Sequence, residues 1–405
     1  MTTLKKQKLL SVDAVIRNRI CCGCGTCTVV CPTSAITFIF GARFNYPKVD
    51  KKKCNSCKKC LEVCPSSFLL QGTELDFKYE IAPPGAISYL INSTDINIRR
   101  EASSGGFITG LLIYLLESKK IDGCVVTRCE GNNPLVAESF IANNKQAIIS
   151  ATGSKYTPVS SCIMLKDIIK QPGQYAFVGT PCMVEGLTRL EKSLPEISTN
   201  IVLKIGFVCS GVASRLSTKK YMEKQGNISA IGSRRICYRG NGWPGRFRVF
   251  GDGDKLLMDR PYIGGSSRYV VAVDHYIRCN NCLDHWAYFA DIVVSDPWSE
   301  EMIISEKIGR SAVLVKNERG ENAILPAIKG GYLTADVIPV RDMIDFNKHL
   351  LIAEKIIKNS WMPLYQLLFL HRVKYLLPIL RSMLNRQLNG VITTLKALLN
   401  KNYYY

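Results

Sequence analysis

The sequence predicts an α/β core of mixed sheets with flanking helices, preceded by a small cysteine-rich α+β module and followed by a basic helical tail. Three observations carry that prediction. Eight of the 17 cysteines fall into two matching groups ahead of residue 65. After Pro83-Pro84-Gly85 short apolar strands alternate with helical segments. Between Lys355 and Tyr405 there is no Asp or Glu, while Lys and Arg continue. With 405 residues the chain exceeds one ordinary domain. We expect boundaries at 1–80, 81–180, 181–345 and 346–405.

The first 80 residues are organised by a repeat. Residues 21–32 read C-C-G-C-G-T-C-T-V-V-C-P and residues 54–65 read C-N-S-C-K-K-C-L-E-V-C-P. Both contain C-x2-C-x2-C-x3-C-P. This is the spacing of an α+β bacterial-type ferredoxin with two 4Fe-4S clusters. Three close thiolates grip one cube, and the fourth, before Pro, reaches across to the other. One cluster is therefore expected on Cys21, Cys24, Cys27 and Cys64, the other on Cys54, Cys57, Cys60 and Cys31. A pair of zinc knuckles needs only four ligands in two pairs each and does not account for this spacing. Cys22 is surplus to the repeat and reads as a bystander packed beside the loop. Lys51, Lys52, Lys53, Lys58 and Lys59 surround the second loop. They fit either a solvated face or a docking edge for an acidic electron donor.

The core follows. Residues 101–117, E-A-S-S-G-G-F-I-T-G-L-L-I-Y-L-L-E, place apolar residues at helical spacing, with Ser103 or Ser104 suited to the N-cap. A Ser-Gly-Gly turn opening a helix presents free amides to a phosphate, or it merely permits a tight turn. I-D-G-C-V-V-T, Y-A-F-V-G-T-P-C, I-V-L-K-I-G-F-V-C-S-G and A-D-I-V-V-S-D-P-W read as buried strands. Ligands of such sheets sit beyond the strand C-termini. Cys182, Cys209 and Asp296 all lie there. The late pair in R-C-N-N-C, Cys279 and Cys282, needs two further ligands, and Cys182 and Cys209 are the candidates. Spacing alone leaves a third 4Fe-4S cluster, a four-cysteine zinc site and buried thiols all open.

Taken in order, S-S-G-G-F, G-S-K-Y, V-G-T-P-C, C-S-G-V-A-S, G-W, C-N-N-C and A-D-I-V-V-S-D-P-W resemble the coenzyme F420 hydrogenase/dehydrogenase beta-subunit family, from about residue 85 to 340. The resemblance implies FAD on the α/β core with an iron–sulfur cluster beside it. It implies that Ser104, Gly105, Gly106 and Thr180 lie toward the cofactor, and that Lys155 and Tyr156 line the flavin or substrate side. It supports Cys182, Cys209, Cys279 and Cys282 as ligands of a third cluster. Two departures bear on substrate. Bacterial members often have Cys-His-Gly where this chain has Cys209-Ser210-Gly211, and Gly-Asp-Phe-Trp-Gly where it has Ser295-Asp296-Pro297-Trp298-Ser299.

The expected function is an iron–sulfur flavoprotein oxidoreductase relaying electrons between a ferredoxin-like or deazaflavin (coenzyme F420) partner and a small-molecule substrate. The rival is a non-catalytic electron-transfer subunit serving a separate enzyme. Lys155, Tyr156 and Asp296 are the acid/base candidates. Each has a plainer reading: a phosphate or surface contact for Lys155, and a turn residue before Pro297 for Asp296. His275 and His285 flank the C-x-x-C as either ordinary loop residues or proton shuttles. Trp243 and Trp298 read as core. Expected partners are an acidic electron-transfer protein or a hydrogenase/dehydrogenase-type subunit.

The net charge of +20 would suggest nucleic acid, but clusters and cofactor phosphates offset it. There is also no C2H2 finger, basic zipper or RNP-like string. The start, M-T-T-L-K-K-Q-K-L-L-S-V, lacks an apolar signal region, and no apolar run approaches a membrane span. A reducing cytoplasm is the expectation. The basic tail is read as packing on the core or another subunit, or as a peripheral contact with the inner membrane face.

Overall fold

The computed structural model describes residues 11–71, 80–266 and 274–351. The expected tail lies outside them from residue 352 onward. The N-terminal module carries one hairpin, β1 (Ile36–Phe40) against β2 (Asn45–Val49), antiparallel. Short helices follow each cysteine loop, Thr26–Val30 after the first and Lys59–Glu62 after the second. The repeat in sequence is thus a repeat in structure.

The core is built on one eight-stranded mixed sheet. Its strands are β3 (Ile87–Ser93), β4 (Gly123–Arg128), β5 (Glu138–Ala142), β6 (Tyr175–Gly179), β7 (Ile201–Phe207), β11 (Ile292–Ser295), β12 (Ser311–Val315) and β13 (Leu333–Ile338). Their spatial order is β13-β3-β12-β11-β7-β6-β4-β5. The central four, β11, β7, β6 and β4, are parallel, and the flanking pairings are antiparallel. These four are near-continuous apolar runs because helices cover both faces. β3 pairs with β12 and β13 from the far end of the chain, so one sheet spans nearly the whole core sequence.

A second, three-stranded sheet stands at one side: β8 (Arg235–Cys237), β9 (Arg246–Phe250) and β10 (Leu256–Pro261), ordered β10-β9-β8. It has its own small core of Tyr221, Met222, Tyr238, Phe247 and Val249. The strand patterns quoted above did not extend to this segment.

The module is not a separate bead. A single hydrophobic core runs from Val15, Ile20, Phe44 and Leu61 of the module to Phe177, Val184, Leu187, Trp286 and Val293 on one face of the large sheet. Helix Thr26–Val30 packs on helix Pro181–Ser193, and Gly186 makes the approach possible: a Cβ there would lie 2.9 Å from Thr26 Cγ2. That packing sets the module's cysteines against the sheet's.

Candidate functional site

The parallel strands all end at one cleft of about 330 Å³. The size and the mixture of apolar wall and scattered polar groups suit a small-molecule or cofactor site. Ser104, Gly106, Lys155, Tyr156, Thr180, Cys209 and Asp296 all line it. Gly105 does not. Its amide donates to Ser311 Oγ at 3.0 Å, and its carbonyl accepts from Ser93 N at 2.8 Å. It has no Cβ because the loop threads between the backbones of Ile91 and Ser311.

The N-cap expectation for the helix Phe107–Glu117 also changes. Gly106 is the cap, at φ +72, with no side-chain cap bond. Ser104 and Ser103 are held elsewhere: Ser104 Oγ lies 2.8 Å from Ser311 Oγ, and Ser103 Oγ accepts from Ser154 N at 2.7 Å. The helix therefore opens into the cleft with its first amides free of a serine cap. The helix Pro181–Ser193 does the same from Thr180, whose side chain makes no cap bond. Two helix N-termini facing one cleft make it favourable to anionic groups.

Lys155 is buried. Its ammonium donates to Ala151 O, to Gly153 O at 2.7 Å and to Thr152 O at 3.2 Å. Burial pulls its pKa down to about 8. Tyr156 and Tyr262 form a stacked pair 5.9 Å apart, and Tyr262 lies 6.4 Å from Trp298. Behind this aromatic wall Arg239 is fully buried, its guanidinium 4.7 Å from the Tyr262 ring. Asp296 closes the wall. Arg239 donates to both its oxygens, at 2.6 and 3.0 Å, and Trp243 Nε1 donates at 2.8 Å. With its carboxylate held by three donors, Asp296 anchors the wall. Trp243 is core, as expected, whereas Trp298 reaches the cleft.

The cysteines assemble in three sets. Cys21, Cys24, Cys27 and Cys64 are buried together, and Cys24 lies close enough to raise the pKa of each of the other three after the larger effect of burial. Cys60 has Cys57, Cys31 and Cys54 as neighbours. Each group joins three thiols of one loop to the last thiol of the other. The first is interior. The second opens outward, with Cys57 exposed and all five lysines around it exposed. The third set is Cys182, Cys209, Cys279 and Cys282. Burial pushes Cys279 up to about 12, with Cys209 and Cys182 contributing. Burial likewise raises Cys209, beside Cys182 and Cys282. Among the described residues no three His, Cys, Asp or Glu side chains gather around one point that a single metal ion could occupy. A cube holds its four thiolates farther apart than one ion does.

Arg278, the first residue of R-C-N-N-C, is a cation among these thiols. It is buried, lies 5.2 Å from the Phe68 ring, and donates to Ser66 Oγ at 3.2 Å and Pro65 O at 3.4 Å. It ties the late C-x-x-C to the residues that follow Cys64. His285 Nδ1 lies 2.6 Å from Cys209 O and braces that loop. His275 is paired with Ala213 through an isolated bridge.

Sequence reasoning missed several residues that build the cleft. Arg239, behind its wall, had a signal in the Gly- and Trp-rich R-G-N-G-W-P-G. Asn347 and His349 had none, because the helix Val340–Asp345 delivers them from the chain's far end. Asn347 Nδ2 donates to Ser295 Oγ at 3.2 Å, and burial lowers the His349 imidazole below its usual pKa.

Family models decide the kinship. Residues 88–166 match the N-terminal model, and residues 173–340 the C-terminal model, of the coenzyme F420 hydrogenase/dehydrogenase beta subunit. The chain belongs to that family. Residues 14–69 match a 4Fe-4S dicluster domain. Among curated relatives, the coenzyme F420-dependent sulfite reductase of Methanocaldococcus jannaschii is 26% identical over 76% of this chain. The match spans 46% of that protein, so the chain covers about half of its length. The coenzyme F420 hydrogenase subunit beta of Methanococcus voltae is 24% identical over 65% of this chain and 89% of its own. A chain of the F420-reducing NiFe hydrogenase complex of Methanosarcina barkeri shares the fold, with a TM-score of 0.51 and 21% identity. That likeness covers 70% of this chain and 91% of the other. For this beta-subunit family member, no helix among the described residues is long and apolar enough to cross a membrane.

Proposed function

We propose that this beta-subunit family member is an iron–sulfur flavoprotein oxidoreductase. In this reading the two module quartets hold 4Fe-4S clusters, and Cys182, Cys209, Cys279 and Cys282 hold a third. FAD occupies the cleft. One observation carries the proposal: Cys209 belongs to the third cysteine set and also lines the cleft. On the other side, Cys182 neighbours Cys21 and Cys24 of the buried module quartet. The order from surface to cleft is then the outer quartet, the inner quartet, the core quartet and the cofactor.

The residues present fit these groups. Four thiolates per cluster is the normal complement. The two helix N-termini and the seryl and threonyl lining suit the phosphates of a dinucleotide. FAD, when bound, joins one-electron exchange with clusters to two-electron chemistry with a substrate. The chain's own residues do the rest. Arg239 and Asp296 hold the wall of Tyr156, Tyr262 and Trp298 rigid. Lys155 and Tyr156 are the groups placed to exchange a proton with a bound substrate, and His349 stands at the rim. Arg278 offsets the negative charge of the core and inner quartets. The names of the relatives favour coenzyme F420 as redox partner. The lysines around Cys57 favour an acidic electron-transfer protein or a hydrogenase/dehydrogenase-type subunit.

The second reading, a wiring subunit without its own substrate, is favoured by relatives that are named subunits of larger enzymes. Iron, sulfide and flavin per chain after anaerobic purification test the proposal. Three clusters predict about twelve irons, with one flavin. About eight irons with flavin would remove the core cluster. Iron without flavin would leave the wiring role.

A further inference from the structure

A second cavity, of about 130 Å³, lies at the seam between the cysteine module and the core. Its walls are the turn joining β1 to β2 at Gly41, the loop around Asn133, and the first turn of helix Arg215–Gly226, which supplies Arg215 and Lys219. Arg215 is only 3% exposed. Its guanidinium donates to Gly41 O at 2.6 Å and to Asn45 Oδ1, both neutral acceptors. Its Nε is buried without a hydrogen-bond partner. Among the described residues no carboxylate is bonded to it. Asp274, on a neighbouring loop, is taken by Arg43 and by Ser214 Oγ, each at 2.6 Å. The titratable groups that act on Arg215 are Tyr276, Tyr238 and Cys129, and burial keeps all three protonated and neutral at pH 7. Arg239 and Arg278, buried to a similar degree, have Asp296 and Glu185 as acidic neighbours. A buried charge is costly unless it is paired. No Asp or Glu among the described residues lines the cavity. Lys219, half-exposed and 3.8 Å from Glu223, adds a second cation, and the helix start adds partial positive charge.

We propose that this cavity binds a small oxyanion, a phosphate or carboxylate group, with Arg215 and Lys219 as its cations. Its 130 Å³ is room for about four water molecules, enough for one such group. A guanidinium has five N–H donors, and those of Arg215 not given to Gly41 and Asn45 match the oxygens of either group. The anion would meet the module at the Gly41 turn and the core at the helix, so its binding fastens one to the other. Neither Arg215 nor Lys219 lines the cleft. The inference therefore does not depend on which cofactor the cleft takes.

The test titrates the full chain, purified anaerobically, with inorganic phosphate and with acetate. Isothermal calorimetry reads the binding at an ionic strength held constant with potassium chloride. Wild type is compared with Arg215→Gln, Lys219→Met and Lys220→Met. Lys220 is exposed and does not line the cavity, so it controls for net charge. Lys219→Met should weaken binding of at least one anion by roughly tenfold or more. Arg215→Gln should abolish it, and Lys220→Met should bind as wild type does. Whichever anion binds more tightly identifies the group. Arg215→Gln also removes bonds that hold the hairpin turn, so Lys219→Met decides the outcome. Anion held at the cleft is untouched by that substitution, and only the lysine-dependent part counts. Binding of neither anion, or binding to Lys219→Met as tight as to wild type, would overturn the inference. So would an equal loss in Lys220→Met, which would reduce the effect to net charge.

Discussion

The hydroxyl of Tyr276 is bonded twice to the backbone of Asn45: it accepts from Asn45 N at 2.9 Å and donates to Asn45 O at 3.0 Å. The two residues are 231 positions apart and both are buried. Tyr276 stands three residues before Cys279, and Asn45 opens β2 of the module. The pair therefore fastens the late C-x-x-C loop to the cysteine-rich module. Tyr276→Phe leaves a buried amide and a buried carbonyl without their partner. It should cost roughly 1–3 kcal/mol. Urea unfolding of the cluster-loaded protein measures it, and an unchanged midpoint would dismiss the clamp.

The buried pair of Arg239 and Asp296 makes a second prediction. Asp296→Asn strips the charge from the carboxylate that compensates a fully buried guanidinium. The loss should be roughly 3–5 kcal/mol, read as a lower thermal midpoint. The double variant Arg239→Met, Asp296→Leu should lose less than Asp296→Asn alone, because no uncompensated charge remains. Equal losses would mean that the pair matters through packing rather than charge.

Lys155 carries a pH signature. Its pKa is about 8 folded, because burial disfavours the ammonium, against an ordinary 10.5. Below pH 8 both states are protonated, and the burial penalty is fully present. Between pH 8 and 10.5 the unfolded chain binds the extra proton, so stability should rise with pH there. The gain should approach roughly 3 kcal/mol. Lys155→Met should flatten the rise, and unfolding free energies for the two proteins at pH 7.5 and pH 10 would reveal it. Parallel curves would sink the assignment.

Around Cys57 the prediction concerns rate. The exposed lysines should speed encounter with an acidic one-electron donor. Reduction of the chain by an acidic ferredoxin should slow as salt rises. Lys58→Glu with Lys59→Glu should slow it by about tenfold or more at low ionic strength. Stopped-flow bleaching of the cluster absorbance follows the reaction. A basic donor should respond in the opposite direction, and salt-independent rates with both donors would rule out a charged port.

Much of this molecule is legible in its sequence, because much of it is local. Ligand spacing in a cysteine loop is a property of a dozen consecutive residues, so both module quartets follow from the repeat. Buried parallel strands are apolar along their length, and the turn after each one lies at the cleft. Cys209 and Asp296 could therefore be placed at strand ends from their strands alone, and Thr180 in the turn after one, whereas Lys155 follows a helix and is reached only through the family resemblance. What the tertiary structure decided depends on segments far apart in the chain. The role of Asp296 depends on Arg239, 57 residues earlier, reaching its carboxylate from the connection between β8 and β9. Ser103 and Ser104 look like helix caps until Ser154 and Ser311 take their hydroxyls. Periodicity and spacing describe a residue's neighbours along the chain. Only close packing of distant segments determines which donor meets which acceptor, and here that meeting joins the cysteine module to the cleft.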